Sequence, residues 1–227
     1  MKKILFIFSF SMISSVSFGQ TQKFDTIRYA KEHYQERIAV FEKEPIVKQT
    51  IIFLGNSLTE FGDWKKLLND SSTINRGIGG DNTFGILDRL QDVIDHQPSK
   101  LFLEVGINDI SQNIPSRIIL DNIILISKKI HAKSPGTRIY IISILPTNDK
   151  TKTFFPGAFG KNERVRMINE QLKMHAKENK YTYVDLSSAV RDEEGNLSQN
   201  YARPDGLHIN NTGYDVWVKL LKTKKYL

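Results

Sequence analysis

Three side chains that together can activate a hydroxyl group stand at two separated points of this 227-residue chain. Ser57 follows the apolar run 51–54, and Asp205 lies three residues before His208 near the C-terminus. A serine hydroxyl becomes a good nucleophile when a histidine takes its proton, and a carboxylate fixes the tautomer of that histidine. An apolar run that ends in glycine predicts a strand and a tight turn, which would lift Ser57 to the carboxyl edge of a sheet. The chemistry that these residues favour is acyl transfer.

Two further segments could supply the hydrogen-bond donors that acyl transfer needs. Gly80 lies in the glycine-rich turn 75–81, which opens a predicted helix and lets backbone N–H groups approach a ligand. Asn108 follows an apolar strand and can aim its amide group into the same space. A tetrahedral oxyanion is stabilised by such donors, here the N–H groups of Ser57 and Gly80 and the side chain of Asn108.

The elements that would position these residues alternate between strands and helices, which favours a parallel sheet covered on both faces. The predicted strands span 50–54, 73–76, 101–106, 138–144 and 181–185. The predicted helices span 24–44, 84–95, 116–133, 161–179 and 211–224. We find no internal repeat or linker, so we expect one domain over 50–227, with 20–49 as an N-terminal helical segment packed on it.

Four of the residues above occur in the order that is characteristic of a known family. The chain resembles the GDSL-like SGNH hydrolases, whose name denotes a Ser, a Gly, an Asn and a His, matched here by Ser57, Gly80, Asn108 and His208. The resemblance extends over about 50–217. Each motif is short and weak alone, but all four in order and at predicted strand ends are specific.

The resemblance implies a three-layer, flavodoxin-like α/β fold with a parallel sheet between helices. It also implies esterase or lipase activity through a triad of Ser57, His208 and Asp205, an oxyanion hole at Ser57, Gly80 and Asn108, and neither metal nor cofactor. One position departs from the family pattern, because residue 56 is Asn where the name-giving motif has Asp. Asparagine keeps an acceptor and adds a donor, so we interpret this change as tuning of the turn.

Each motif also has a purely structural explanation. Ser57 could be a helix N-cap, Gly80 part of an ordinary turn, Asn108 a helix cap, and Asp205 with His208 a surface pair. Their joint occurrence favours the active-site interpretation. No histidine or aspartate has a third ligand at a spacing that would suit a metal.

Three other acidic residues lie close to these motifs. We expect Asp81 and Asp109 to be capping or turn residues. Glu104 interrupts a strand that should be buried on both faces, and a buried carboxylate needs a partner. Arg76 is a candidate for that partner.

Residues 1–19 have the pattern of a cleavable signal peptide. Two lysines precede the apolar stretch 4–16, and small residues follow at 17 and 19. We expect cleavage after Gly19, a periplasmic or secreted protein, and no stable membrane insertion after cleavage; an uncleaved anchor is the alternative. Cysteine is absent from the chain, which excludes disulfides and a thiol nucleophile.

The net charge of the chain is +7, and removal of Lys2 and Lys3 with residues 1–19 leaves +5. Lysines near the C-terminus alternate with apolar residues, which favours an amphipathic helix with a solvated face over a patch for anionic surfaces. No basic-aromatic module is present, so we expect no nucleic-acid partner.

We expect an exported serine esterase that removes short acyl groups, chiefly acetyl, from small-molecule or carbohydrate esters. The first alternative is a lysophospholipase or thioesterase, for which the loop 146–163 offers Phe154, Phe155 and Phe159. That long, irregular loop is a candidate substrate lid, although it also carries charged residues. The second alternative is an inactive binding protein on the same fold.

Overall fold

A parallel sheet of five strands forms the centre of the protein. The computed structural model describes residues 30–151 and 155–227, so the predicted signal peptide, the beginning of the first predicted helix and Phe154 lie outside the described residues. In sequence numbering the strand order is β2-β1-β3-β4-β5. The strands are β1 (Ile51–Gly55), β2 (Ile74–Gly77), β3 (Lys100–Glu104), β4 (Arg138–Ile142) and β5 (Thr182–Val184). All pairings are parallel, which confirms the predicted α/β fold.

The strand order reverses direction at β1, because β2 lies on one side of it and β3 on the other. In such a sheet the connections on the two sides of the reversal point run to opposite faces, and this opens a crevice at the carboxyl ends of the two neighbouring strands, here β1 and β3. The two segments that follow β1 and β3 begin at Asn56 and Val105, so both lead directly into this crevice.

Ten helices are described around the sheet. They are α1 (Lys31–Phe41), α2 (Ser57–Glu60), α3 (Trp64–Leu68), α4 (Thr83–Asp88), α5 (Leu90–His96), α6 (Ile107–Ser111), α7 (Ser116–Lys133), α8 (Asn162–His175), α9 (Leu186–Val190) and α10 (Asn211–Thr223). A 3-10 turn spans Pro156–Ala158. The helix predicted over 84–95 is two helices, because the backbone at Arg89 leaves helical geometry with φ −102° and ψ 11°. The short α2, α3, α6 and α9 were not predicted, since one turn shows no periodicity.

Alternating residues of the strands supply two separate apolar cores. Ile52 and Leu54 face the core under α4, α5, α7 and α8, while Phe53 faces the core under α3, α9 and α10. The second core is aromatic: Phe53 stacks on Trp64 at 3.8 Å between ring centroids, and Trp217 meets Trp64 edge-on at 4.9 Å. Helices therefore cover both faces of the sheet, as predicted.

Two properties of the described residues bear on the predicted chemistry. None of their helices is both long and apolar enough to cross a membrane. The same part of the chain contains no cluster of three or more histidine, aspartate or glutamate side chains arranged to hold a metal ion.

Trp64→Ala should destabilise the fold strongly. The indole is 1% exposed, stacks on Phe53 and donates from Nε1 to the carbonyl of Thr59 at 2.8 Å. Truncation leaves a cavity in the aromatic core, and we expect a loss of about 3–5 kcal/mol in the free energy of unfolding. Urea denaturation measures this loss, with Met167→Ala, an exposed position, as the control. A loss below about 1 kcal/mol would show that the aromatic core is not tightly packed.

Candidate active site

Ser57 is the first residue of α2, directly after the turn that ends β1. Asn56 is the N-cap of this helix, and its side-chain oxygen accepts the N–H of Leu58 at 2.9 Å. Gly55 must lack a side chain, since a Cβ there would lie 2.1 Å from the backbone oxygen of Glu104. The close approach of β1 to β3 and the cap at Asn56 together hold the Ser57 hydroxyl at the carboxyl edge of the sheet.

Ser57, His208 and Asp205 form a continuous chain of hydrogen bonds. Ser57 Oγ lies 2.9 Å from His208 Nε2, and His208 Nδ1 lies 2.8 Å from Asp205 Oδ2. The other carboxylate oxygen, Asp205 Oδ1, accepts the backbone N–H groups of Leu207 and His208, both at 2.9 Å. Burial raises the pKa of Asp205, but these hydrogen bonds from His208 and Leu207 outweigh it and leave the pKa below its usual value. The carboxylate is therefore stable as the ion that orients His208.

The loop that carries Asp205 and His208 is braced by the beginning of the 146–163 loop. The Asn148 N–H donates to the carbonyl of Gly206 at 2.7 Å. Gly206 has φ +69°, and a Cβ there would lie 2.7 Å from the Thr151 side chain. Because these contacts fix residues 148–151 against the Asp205 loop, this end of the predicted lid is part of the support for His208.

Gly80 adopts a positive φ of 79°, a conformation that favours glycine. Among the described residues, neither the Gly80 nor the Ser57 backbone N–H has a hydrogen-bond acceptor. Asn108 Nδ2 donates to the carbonyl of Asp81 at 2.8 Å, which holds its amide group and leaves the second N–H of that amide for another acceptor. The three predicted donors thus keep N–H groups that a ligand oxygen could use.

Glu60 is a supporting residue that the sequence analysis missed. Its carboxylate accepts the N–H of Gly79, beside Gly80, at 2.5 Å. The same carboxylate lies 2.9 Å from His33 Nε2 and 3.2 Å from Arg37 Nε, both on α1. The carboxylate connects the N-terminal helix to the glycine turn. The sequence offered one indication of this role, because Glu60 lies three residues after Ser57.

Asp81 and Asp109 are fully buried and serve the turns around the site. Asp81 pairs with Arg89 Nε at 2.9 Å, and Arg89 Nη2 also donates to the carbonyl of Gly55 at 3.0 Å. Asp109 accepts the N–H of Thr83, the first residue of α4, at 3.1 Å. Burial raises the pKa of Asp81 to about 6 and that of Asp109 to about 7.

Arg76 is not the partner of Glu104. Arg76 instead pairs with Asp92 at 2.8 Å and with Glu44 at 2.5 Å. Glu104 is fully buried, and neither of its carboxyl oxygens forms a regular hydrogen bond within the described residues. The Nδ2 atom of Asn56 likewise forms no regular hydrogen bond there. The Asn56 amide nevertheless interacts with the Glu104 carboxyl group. Burial raises the pKa of Glu104 to about 8, the Asn56 amide lowers it, and the charge of Asp109 adds to the increase. Glu104 is therefore predominantly a neutral acid at pH 7.

A serine, a histidine and an aspartate joined by hydrogen bonds at the carboxyl edge of a parallel sheet are an arrangement that serine hydrolases use. Comparison with known families agrees with this class. The model of the GDSL-like Lipase/Acylhydrolase family matches residues 53–216, and the chain belongs to this family. The resemblance inferred from the four short motifs is confirmed.

Individual relatives are distant in sequence but similar in structure. Human platelet-activating factor acetylhydrolase IB subunit alpha1 is 24% identical over 180 residues, which are 76% of this chain and 72% of that relative. A solved structure from Streptococcus pneumonia, described as a candidate platelet activating factor, has 27% identity and a TM-score of 0.75 over 86% of this chain and 94% of its own. A candidate acylhydrolase from Bacteroides fragilis NCTC 9343 has 26% identity and a TM-score of 0.69 over 87% and 93%. The family and these relatives support a hydrolase that acts on esters.

Glu104→Gln should change how stability depends on pH. The pKa of Glu104 is about 8 in the folded protein against 4.5 for the free side chain, so between these pH values the folded state binds more protons than the unfolded state. The free energy of unfolding of the wild type therefore falls as pH rises from 4.5 through about 8. The amide of Glu104→Gln cannot ionise, so its stability should not fall in this way. The free energy of unfolding of the variant, relative to that of the wild type, should therefore rise by on the order of 3 kcal/mol over this pH range.

Denaturant titrations at pH 5 and pH 9 measure this effect. Glu193→Gln, an exposed substitution of the same chemistry, is the control and should show no such trend. A constant difference between Glu104→Gln and the wild type at both pH values would mean that Glu104 ionises normally.

Proposed function

We propose that the protein is a serine esterase that hydrolyses short acyl esters, chiefly acetyl esters, of carbohydrates. The observation that carries this proposal is the hydrogen-bonded chain from Ser57 through His208 to Asp205, at distances of 2.9 and 2.8 Å. The family membership supports the hydrolase activity, and the geometry supports the assignment of the residues.

In the proposed mechanism Ser57 attacks the carbonyl carbon of the ester while His208 Nε2 takes its proton. The Nδ1 atom of His208 stays bound to Asp205, whose carboxylate stabilises the imidazolium. The oxyanion accepts the N–H groups of Ser57 and Gly80 and the free N–H of Asn108. His208 then gives its proton to the leaving alcohol, and a water molecule activated in the same way hydrolyses the acyl-enzyme.

Two observations support an acetyl group as the acyl part. Curated relatives that cover most of this chain are named as acetylhydrolases. The loop 146–163, which a lipolytic enzyme would use to line an apolar groove, is held at its beginning by polar contacts from Thr147 to Asn162 and Asp149. These contacts favour a small acyl group over a long chain. The names of the relatives also make an acetyl ester of the platelet-activating factor type a second candidate substrate.

We also propose that residues 1–19 direct export and are removed. The basic start, the apolar stretch and the small residues at 17 and 19 support this assignment. The proposed site of action is therefore the periplasm or the exterior of the cell, where acetylated carbohydrates are accessible.

Ser57→Ala should abolish hydrolysis of p-nitrophenyl acetate and labelling by a serine-directed fluorophosphonate, because the chain has no cysteine and no other serine of the described part of the chain bonds to His208. Ser188→Ala, an exposed serine on α9, is the matched control and should retain both. The wild type should also prefer p-nitrophenyl acetate over the laurate ester. Failure to hydrolyse any ester would favour an inactive binding protein, and a preference for laurate would favour a lipolytic enzyme.

Asn108→Ala should lower kcat by about two to three orders of magnitude while KM changes little, because the hydrogen bond to the oxyanion forms mainly in the transition state. The amide also bonds to the carbonyl of Asp81, so the melting temperature of the variant must be measured beside its kinetics. An unchanged kcat in a folded variant would assign Asn108 a structural role only.

A further inference from the structure

Phe61 places an exposed aromatic ring next to His208. The residue lies one helical turn after Ser57, and its N–H donates to the Ser57 carbonyl at 3.0 Å. The side chain is 46% exposed, and its ring centroid lies 5.1 Å from that of His208. Phe61 and Ser57 therefore share one side of α2, and the ring borders the site without being buried in the core.

Arg203 holds this ring in place. Its guanidinium carbon lies 4.9 Å from the centroid of the Phe61 ring, a cation–π contact. Arg203 Nε donates to the carbonyl of Ile209 at 3.0 Å, and the Arg203 N–H donates to the carbonyl of His208 at 2.7 Å. Because the same loop carries Arg203 and His208, the position of Phe61 is coupled to that of the histidine.

Beyond Phe61 a cleft of about 470 Å³ opens between α3 and the beginning of α10. Its lining is Phe61, Asp63, Lys66, Leu67, Asn211, Tyr214 and Asp215. The cleft combines one exposed aromatic ring with carboxylates, an amide and an ammonium group. A long alkyl chain would strip water from those polar groups without replacing their hydrogen bonds, which is unfavourable. A ring that carries hydroxyl groups offers both an apolar face and hydrogen-bond partners.

The direction of the chemistry decides which part of a substrate would meet this cleft. His208 protonates the leaving oxygen, so the alcohol part of the ester must lie on the His208 side of the reacting carbon. The oxyanion donors belong to different segments, since Gly80 lies in the turn before α4 and Asn108 lies in α6. Since Phe61 contacts His208, the leaving alcohol would extend over Phe61 towards the cleft.

We infer that Phe61 and the cleft beside it form a leaving-group subsite for a carbohydrate ring, with Phe61 as a specificity-determining residue and Arg203 as its positioning residue. This inference rests on the proposed esterase function, because a leaving group exists only if Ser57 and His208 carry out acyl transfer. Phe61 and the cleft would select the alcohol part of the ester, which the triad and the oxyanion donors do not.

The test compares two monoacetyl esters that differ in the alcohol, 6-O-acetyl-D-glucose, whose ring keeps its other hydroxyl groups, and glycerol 1-acetate. The ratio of their kcat/KM values cancels any effect of a variant on the shared acyl chemistry. Phe61→Ala should lower the ratio of sugar to glycerol ester about fivefold, the loss expected from one aromatic contact. Phe61→Tyr should keep the ratio, because the ring remains. Met167→Ala removes an exposed apolar side chain on α8 and is the control.

Asp215→Ala, on the polar wall of the cleft, provides a second variant that leaves the ring in place. It should lower the same ratio about threefold through loss of a hydrogen bond to a hydroxyl group. A third substrate, an acetylated ether phospholipid in micelles, tests the other source of an acetyl ester.

The outcomes separate the two levels of the proposal. If the wild type hydrolyses neither acetyl ester, the proposed function is wrong and the subsite with it. If it hydrolyses both esters but Phe61→Ala and Asp215→Ala leave the ratio unchanged, only the subsite is wrong. A larger loss for Phe61→Ala on the phospholipid than on the sugar would overturn the carbohydrate assignment.

Discussion

The hydrogen bond between Ser57 and His208 joins two segments that are 151 residues apart in the chain. This hydrogen bond, 2.9 Å long, can form only if the rest of the fold places both segments correctly, because a single hydrogen bond cannot hold them together. β1 carries Ser57 to the crevice, and Tyr214 of α10 donates to the carbonyl of Leu58 at 2.7 Å. That contact fixes the helix of the serine against the helix that follows the histidine.

Three buried carboxyl groups lie next to residues of the site: Asp81 follows Gly80, Asp109 follows Asn108, and Glu104 pairs with Gly55 in the sheet. They differ in their hydrogen-bond and ion-pair partners. Asp81 has an ion pair with Arg89, and Asp109 accepts two donors from Thr83. Within the part of the chain that the structure describes, Glu104 has only the neighbouring amide of Asn56, so it is accommodated as a neutral acid. A buried ionised group without a partner would cost several kcal/mol. The asparagine at position 56 thus gives an uncharged neighbour to Glu104, which has no ion-pair partner among the described residues.

The site also depends on the N-terminal helix. His33 and Arg37 of α1 hold the Glu60 carboxylate, and Glu60 in turn holds the Gly79 N–H in the glycine turn. The hydroxyl of Tyr34 adds a bond to the carbonyl of Gly85 at 3.0 Å. Contacts of this kind make the segment before β1 a support for the proposed oxyanion donors.

The sequence by itself determined the strand-helix alternation, each strand to within two residues of its ends, and the four motifs. These features are local, because apolar periodicity and turn residues act over a few positions. The tertiary structure decided the partners of Arg76, the isolation of Glu104, the role of Glu60 and the contact of Phe61 with His208. Each of these joins residues from separate elements. Such contacts depend on how whole elements pack and which rotamers that packing permits, and no local pattern encodes them.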